Sequence, residues 1–360
     1  MQHERKRILV IRPGALGDTV LTAPVVAALR AKYLGSHIEV AGRMDYLPVL
    51  AGEGLADGCR SLDSPEFGSL FGDGAVRIGA WDIIVAFLPD EDGRLRGRLE
   101  SVCAKVVVHD PRPAAGARRH ITTHLLGALR PLGIRTVRRP TRIGCQRPWW
   151  SDGAEAVGHL DPHYVVVHPG SGGREKLWPA ERWAEVIRGL APRNVVLTCG
   201  PADEEVVEEV LACIGCETGR GDETAERDEG GTPATRSRDT GGTPAIRAQD
   251  TGRMPVPHIT GQTPASRRPE PARAWHIGPE GRLVVVRDQP VTTLAGVLAA
   301  ASVYLGCDSG VTHLAAALGV RTVAVFTTTD PRVWSPKGQQ VHVLSGSDIR
   351  VADVMRAAQA

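Results

Sequence analysis

The sequence predicts an α/β protein with two parallel-sheet domains facing each other across a cleft. Three observations carry this expectation. The chain's 360 residues suffice for two domains of ordinary size. Apolar, β-leaning runs alternate with runs of helical spacing, the pattern of parallel strands joined by crossover helices. The alternation also falls into two series, separated by the Pro- and Trp-bearing stretch RRPTRIGCQRPWWSDG. The expected domains are therefore residues 1–155 and 156–345, with residues 346–360 forming a C-terminal helix that packs back on the first domain.

The first series opens with the buried strand RILVIR, a glycine loop and the helical VLTAPVVAALRAKY, followed by the strand HIEVAG. Further on, WDIIVAFL and AKVVVHD read as strands and THLLGALRPLG as a helix. In the second series YVVVHPG, NVVLTCG, RLVVV, SVYLG and TVAVF are strands. Between them AERWAEVIRGLA, EEVVEEVLACI, TLAGVLAAA and VTHLAAALG have helical spacing, the last with Gly319 as C-cap. The terminal SDIRVADVMRAAQA is a capped amphipathic helix.

Residues 217–275 interrupt the second series. GGTPATRSRDT and GGTPAIRAQDT repeat at a period of 11 residues, with an echo in GQTPASRRP. So few aliphatic residues cannot offset the entropy of ordering the chain, and a low-complexity disordered insertion is expected. Its nine arginines are matched by nine acids, which argues against a basic tether.

Composition narrows the function. With 43 Lys+Arg against 41 Asp+Glu and 4% aromatics, neither a nucleic-acid footprint nor a base-stacking surface is expected. The seven cysteines lie mostly in apolar runs and suit buried thiols in a reducing compartment. MQHERKR runs straight into a strand, and no apolar run reaches about 18 residues, so a cytoplasmic protein is expected.

Three stretches carry chemistry, and each follows a strand. In RPGALGDTVLTAP, Gly14 and Gly17 permit close backbone approach, and Asp18 is either a helix N-cap or a carboxylate facing the cleft. Neither the dinucleotide fingerprint nor the P-loop pattern is present, which disfavours a nicotinamide-dependent oxidoreductase and a P-loop nucleotidase. In HPGSGGREKLWPAERW, Gly170 and Ser171 belong to a loop whose N–H groups can approach phosphate oxygens, and Lys176 adds a compact positive charge. In CDSGVTHLAAALG, Asp308, Ser309 and Gly310 fall at a strand-to-helix turn where an anion can meet the helix N-terminus, with His313 in the first turn. A diphosphate held by one domain, with a base offered by the other, describes a nucleotide-sugar transferase.

The stretches ILVIRPGALGDTVLTAPVVAALR, HPGSGGREKLWPAERWAEV and GCDSGVTHLAAALGVRTVAVF resemble the heptosyltransferases of glycosyltransferase family 9, over nearly the whole chain outside the insertion. The resemblance implies a GT-B fold of two Rossmann-like domains. It implies inverting transfer of a heptose from ADP-heptose to the lipopolysaccharide inner core or a related anionic glycolipid, at the inner-membrane surface. Asp18 would then match the base, and Ser171 and Lys176 would match donor-phosphate contacts. Asp308, Ser309, Gly310, Val311 and His313 would match the donor-binding turn, and Glu204 or Glu205 a ribose-binding carboxylate. Neither a cofactor nor a metal is implied.

One departure concerns the acceptor side. DIIVAFLPDEDG stands where relatives commonly carry an Asp–Leu–Gln type of ending, and its Asp90-Glu91-Asp92 string would bind a metal–diphosphate in other transferases. Arg112, Arg118 and Arg119 help make residues 1–155 net basic, with 22 Lys+Arg against 17 Asp+Glu. That face suits an anionic glycolipid and the membrane carrying it, or is simply a solvated basic surface. Two rivals stay open: a family 9 transferase using another nucleotide sugar, and a catalytically silent nucleotide-sugar-binding paralogue.

Overall fold

The computed structural model describes residues 5–51, 54–135, 141–215, 259–260, 273–277 and 281–359. The expected insertion, 217–275, lies outside the described residues except for two strand segments. The first half contains β1 (Arg7–Ile11), α1 (Leu16–Lys32), β2 (His37–Gly42), β3 (Gly58–Ser61) and α2 (Pro65–Gly68). It continues through β4 (Ile83–Ala86), α3 (Arg94–Glu100), β5 (Val106–Val108), α4 (Ile121–Gly127) and α5 (Arg147–Ala156). The second half runs through β6 (Val165–His168), α6 (Ala180–Gly189), β7 (Val195–Cys199) and α7 (Glu204–Ile214). After β8 (Ile259–Thr260) and β9 (Arg273–His276) come β10 (Arg282–Arg287), α8 (Val291–Ala299), β11 (Val303–Cys307) and α9 (Gly310–Leu318). The chain closes with β12 (Thr322–Phe326), α10 (Pro331–Trp334), β13 (Val341–Ser345) and α11 (Val351–Gln359).

Two sheets result. The first has the order β5-β4-β1-β2-β3-β8, with every pairing parallel. The second has the order β13-β12-β11-β6-β7-β10-β9, parallel except for the antiparallel edge strand β9. Each is a doubly wound α/β sheet, as expected. Strand order reverses beside β1 in the first sheet and beside β6 in the second. Ligands in such sheets sit at those switch points, outside the strands' carboxyl ends.

Burial explains why these apolar runs form central strands. Ile8, Leu9, Val10 and Ile11 are all fully buried, contributing roughly 1.5–3 kcal/mol each by leaving water. Their side chains alternate between faces, with Ile8 and Val10 in one core and Leu9 and Ile11 in another. The core on the Ile8 side is continuous with Tyr304, Leu314 and Leu318 of the second half, because α1 packs against α9. The two sheets therefore share one apolar core, to which α8 packed on Leu47–Leu50 also contributes.

Two sequence expectations change, and two short strand segments are added at the insertion. The C-terminal helix α11 packs on α6 and the adjoining strands of the second sheet rather than on the first domain. Its Val354, Ala357 and Ala358 are buried in the second sheet's outer core with Trp183, Ile187 and Val323. Within 217–275, Ile259–Thr260 extends the first sheet at β3 and Arg273–His276 borders β10, so the segment contributes an edge strand to each sheet. Finally, Asp18 lies inside α1, whose N-cap is Ala15.

Helices α5 and α8 cross at glycines. A Cβ on Gly296 would lie 1.7 Å from the Trp149 carbonyl oxygen, and one on Gly153 would lie 2.5 Å from the Gly296 carbonyl carbon. No rotamer change relieves a clash with backbone. Gly296→Ala is expected to cost about 1–3 kcal/mol, read by calorimetry as a melting temperature lower by several degrees. An unchanged melting temperature would contradict this packing.

Candidate functional site

The loops after β1, β6 and β11 meet at the facing carboxyl ends of the two sheets. In the first, Ala15 caps α1 with extended backbone, and Asp18 occupies the third helical position. Its Oδ2 accepts the Ala15 N–H at 3.0 Å and its Oδ1 accepts from Arg12 Nη2 at 2.6 Å. The carboxylate is nonetheless 39% exposed, so lone pairs remain open to the cleft, whereas Arg12 is 5% exposed. Gly14 has φ +131°, and a Cβ there would overlap the Asp18 side chain at 2.3–2.7 Å. Glycine is required at that position so that the carboxylate can fold back over the loop.

The second element is the start of α9. Ser309 is its N-cap, with Oγ accepting the Thr312 N–H at 3.3 Å. Thr312 itself hydrogen bonds the Tyr304 hydroxyl at 2.9 Å, anchoring the first helical turn to β11. Asp308 does not cap. Its Oδ2 accepts from Lys176 Nζ at 3.1 Å and from Thr329 Oγ1 at 2.7 Å, and its backbone carbonyl accepts from Ser171 Oγ at 2.6 Å. The loops after β6, β11 and β12 are thus tied together around one carboxylate.

Across the cleft the two helix starts touch. A Cβ on Gly310 would lie 2.7 Å from the Gly17 backbone nitrogen, and one on Gly17 would lie 3.4 Å from the Gly310 Cα. Two helix N-termini from different sheets converge there, each presenting unpaired N–H groups and a positive dipole end. His313 is buried between them. Its pKa is pushed down to about 4, chiefly by burial, with Asp308 and Asp18 opposing and His120 and Lys176 assisting. It faces the site as a neutral imidazole near pH 7.

Lys176 and Asp18 therefore belong to one electrostatic neighbourhood with Asp308, Ser309, Gly310 and His313. Val311 lies half-buried beside them in the first turn of α9. Glu204 and Glu205 are exposed in the first turn of α7, and Glu205 pairs with Arg174. The buried carboxylate of that loop is Asp203, which packs against Gly170 and accepts the Gly200 N–H at 3.1 Å. Its Oδ2 lies 3.7 Å from His168 Nε2, joining the loops after β6 and β7. Arg112, Arg118 and Arg119 are exposed between β5 and α4. Arg112 is held by Asp110, whose pKa its hydrogen bonds lower.

Other sequence features find structural uses. Asp90 accepts the Leu95 and Arg96 N–H groups at 2.9 and 3.1 Å, and Asp92 accepts that of Arg94 at 3.0 Å, so both carboxylates serve the start of α3. His120 caps α4 through Nδ1, which accepts the Thr122 N–H at 3.2 Å. Its Nε2 then donates to the Ser335 carbonyl at 2.8 Å, a tie between the two halves. Sequence reading passed over Arg12, Asp203 and Thr329. A charged residue ending a buried strand was a usable signal for Arg12, but nothing local marks Thr329.

The sequence profile of glycosyltransferase family 9 (heptosyltransferase) matches residues 128–218 and 289–357. Lipopolysaccharide heptosyltransferase 3 of Escherichia coli K12 is 24% identical over 358 residues, spanning 89% of this chain and 82% of that protein. The crystal structure of the glycosyl transferase family 9 from Veillonella parvula superimposes with a TM-score of 0.68 at 18% identity, covering 100% of this chain and 97% of that one. The structure of E. coli ADP-heptose lps heptosyltransferase II gives 0.63 at 17% identity, covering 98% and 97%. The fold is the GT-B arrangement of these structures, and the protein is a glycosyltransferase. It belongs to glycosyltransferase family 9.

Burial of His313 has a consequence for stability. The folded residue stays neutral down to about pH 4, whereas the unfolded one protonates near 6.5. Between those values the unfolded chain binds the extra proton, so stability is lost as pH falls through this window, by up to about 1.4 kcal/mol per pH unit. Melting curves from pH 7 to pH 4.5 should fall less steeply for His313→Asn than for the parent protein. Equal slopes would contradict the assignment.

Proposed function

We propose that this protein is an inverting heptosyltransferase that moves a heptose from ADP-heptose to a hydroxyl of the lipopolysaccharide inner core or a related anionic glycolipid. The observation that carries this reading is the meeting of Asp18, on one sheet, with the Lys176–Asp308 pair and the α9 N-terminus, on the other. The similarity to lipopolysaccharide heptosyltransferase 3 supports the sugar and the acceptor class.

In this mechanism the donor diphosphate lies on the amides of Ser309, Gly310 and Val311. Lys176 turns from Asp308 to the phosphate oxygens, and Thr329 remains to hold the Asp308 carboxylate. Asp18 accepts the acceptor hydroxyl proton through a lone pair used by neither Arg12 nor Ala15. The acceptor oxygen attacks the anomeric carbon opposite the diphosphate, so one displacement inverts the centre. Negative charge grows on the departing ADP, where the fixed amide dipoles and Lys176 stabilise it. Neutral His313 can hydrogen bond a phosphate or sugar oxygen. The basic face carrying Arg112, Arg118 and Arg119 receives the anionic glycolipid at the cytoplasmic membrane surface.

The test is transfer from ADP-heptose to deacylated inner-core oligosaccharide, followed by ADP release. Asp18→Asn should lower turnover by about 10²–10⁴-fold while ADP binding, measured by calorimetry, stays within about twofold. Turnover with UDP- or GDP-sugars instead would replace the donor and keep the mechanism. Full activity of the Asn variant would remove Asp18 from the chemistry.

A further inference from the structure

We propose that Arg12 is a positioning residue for the transfer reaction, fixing the Asp18 carboxylate so that one open lone pair faces the acceptor hydroxyl. This rests on reading Asp18 as the base.

Arg12 directly follows β1, and its backbone N–H donates to the Ala41 carbonyl at 2.8 Å, continuing the pairing with β2. The side chain therefore leaves a rigid strand end. It is 5% exposed and its Nε is buried without a hydrogen-bond partner. Its guanidinium carbon stands 6.0 Å from the centre of the Phe87 ring. Burial lowers the Arg12 pKa and Asp18 opposes that shift. A buried guanidinium with an orphaned nitrogen is costly, and packing alone does not call for it. The hydrogen bond of this side chain is the 2.6 Å contact to Asp18 Oδ1.

That contact does what the Ala15 N–H cannot. The amide holds only Oδ2, from within the same turn, and leaves the carboxylate free to swing about that oxygen. A second donor on Oδ1, arriving from the sheet, sets the carboxylate plane. A near-attack geometry depends on such fixing, and a displacement of about 1 Å can cost roughly 10²-fold in rate. The charged groups around Asp18 are Arg12 from the end of β1 and His313 from α9. Beyond His313 stand His120 at the start of α4, Lys176 after β6 and Asp308 after β11. Arg12 is the cation bonded to the carboxylate, and Lys176 is engaged by Asp308.

The test is a double-mutant cycle of Arg12→Gln and Asp18→Asn, assayed with ADP-heptose and deacylated inner-core oligosaccharide. Arg12→Gln should lower kcat on the order of 10²-fold, leave ADP affinity unchanged, and recover substantially in Arg12→Lys. In the Asp18→Asn background the same change should cost less than about twofold, because its effect passes through the carboxylate. Equal losses in both backgrounds, or weakened ADP binding in step with kcat, would overturn the proposal in favour of a general structural role. If Asp18→Asn is itself fully active, the base reading fails instead, and the two failures are thereby separated. Crystal structures of the parent protein and Arg12→Lys give a readout that needs neither turnover nor the glutamine variant. The substituted lysine should keep the carboxylate in place through a single bond, with higher displacement parameters. An identical, equally ordered Asp18 in a variant whose new ammonium makes no bond to it would overturn the proposal.

Discussion

The contact between Gly17 and Gly310 is the constraint on which the site depends. Each glycine opens a helix that leaves the reversal point of its own parallel sheet, and the absence of a Cβ on Gly310 lets the helix starts meet. A side chain at Gly310 would strike the Gly17 nitrogen and hold the sheets apart. The shared apolar core behind them, from Val20 and Leu21 of α1 to Leu314 and Leu318 of α9, makes that meeting a packed one. Close approach of two positive helix ends is unfavourable without negative charge between them. Asp18 and Asp308 supply part of it, and an anionic ligand would supply the remainder.

Both carboxylates are engaged by cations, in different ways. Arg12 is buried beneath Asp18 at the end of β1. Lys176 is 28% exposed on a loop and meets Asp308 from the cleft side. The first pair suits a fixed charge and the second an exchangeable one. Thr329 and Ser171 hold Asp308 from other directions, so its position does not depend on the lysine.

Much of this was legible in the sequence. Strands such as RILVIR, YVVVHPG and TVAVF could be read because burial on both faces of a parallel sheet requires unbroken apolar runs. Gly319, φ +87°, ends α9 as expected. The three Gly-bearing loops could be found because each follows such a strand. What could not be read were relations between distant segments. Packing of α11 on α6 depends on which apolar stripe is left uncovered, and a single amphipathic pattern does not say that. Asp203 rather than Glu204 or Glu205 is buried under Gly170 because of how the loops after β6 and β7 fold together. The Asp90–Asp92 string looks like a metal motif in isolation, yet its first and third carboxylates accept the open N–H groups of a helix start.

The most direct measurement is a crystal structure with ADP bound. The β-phosphate is expected on the amides of Ser309, Gly310 and Val311, with Lys176 Nζ moved from Asp308 to a phosphate oxygen and Asp18 still facing the open side. A nucleotide seated away from the start of α9, or a Lys176 that stays on Asp308 while ADP is bound, would contradict this arrangement.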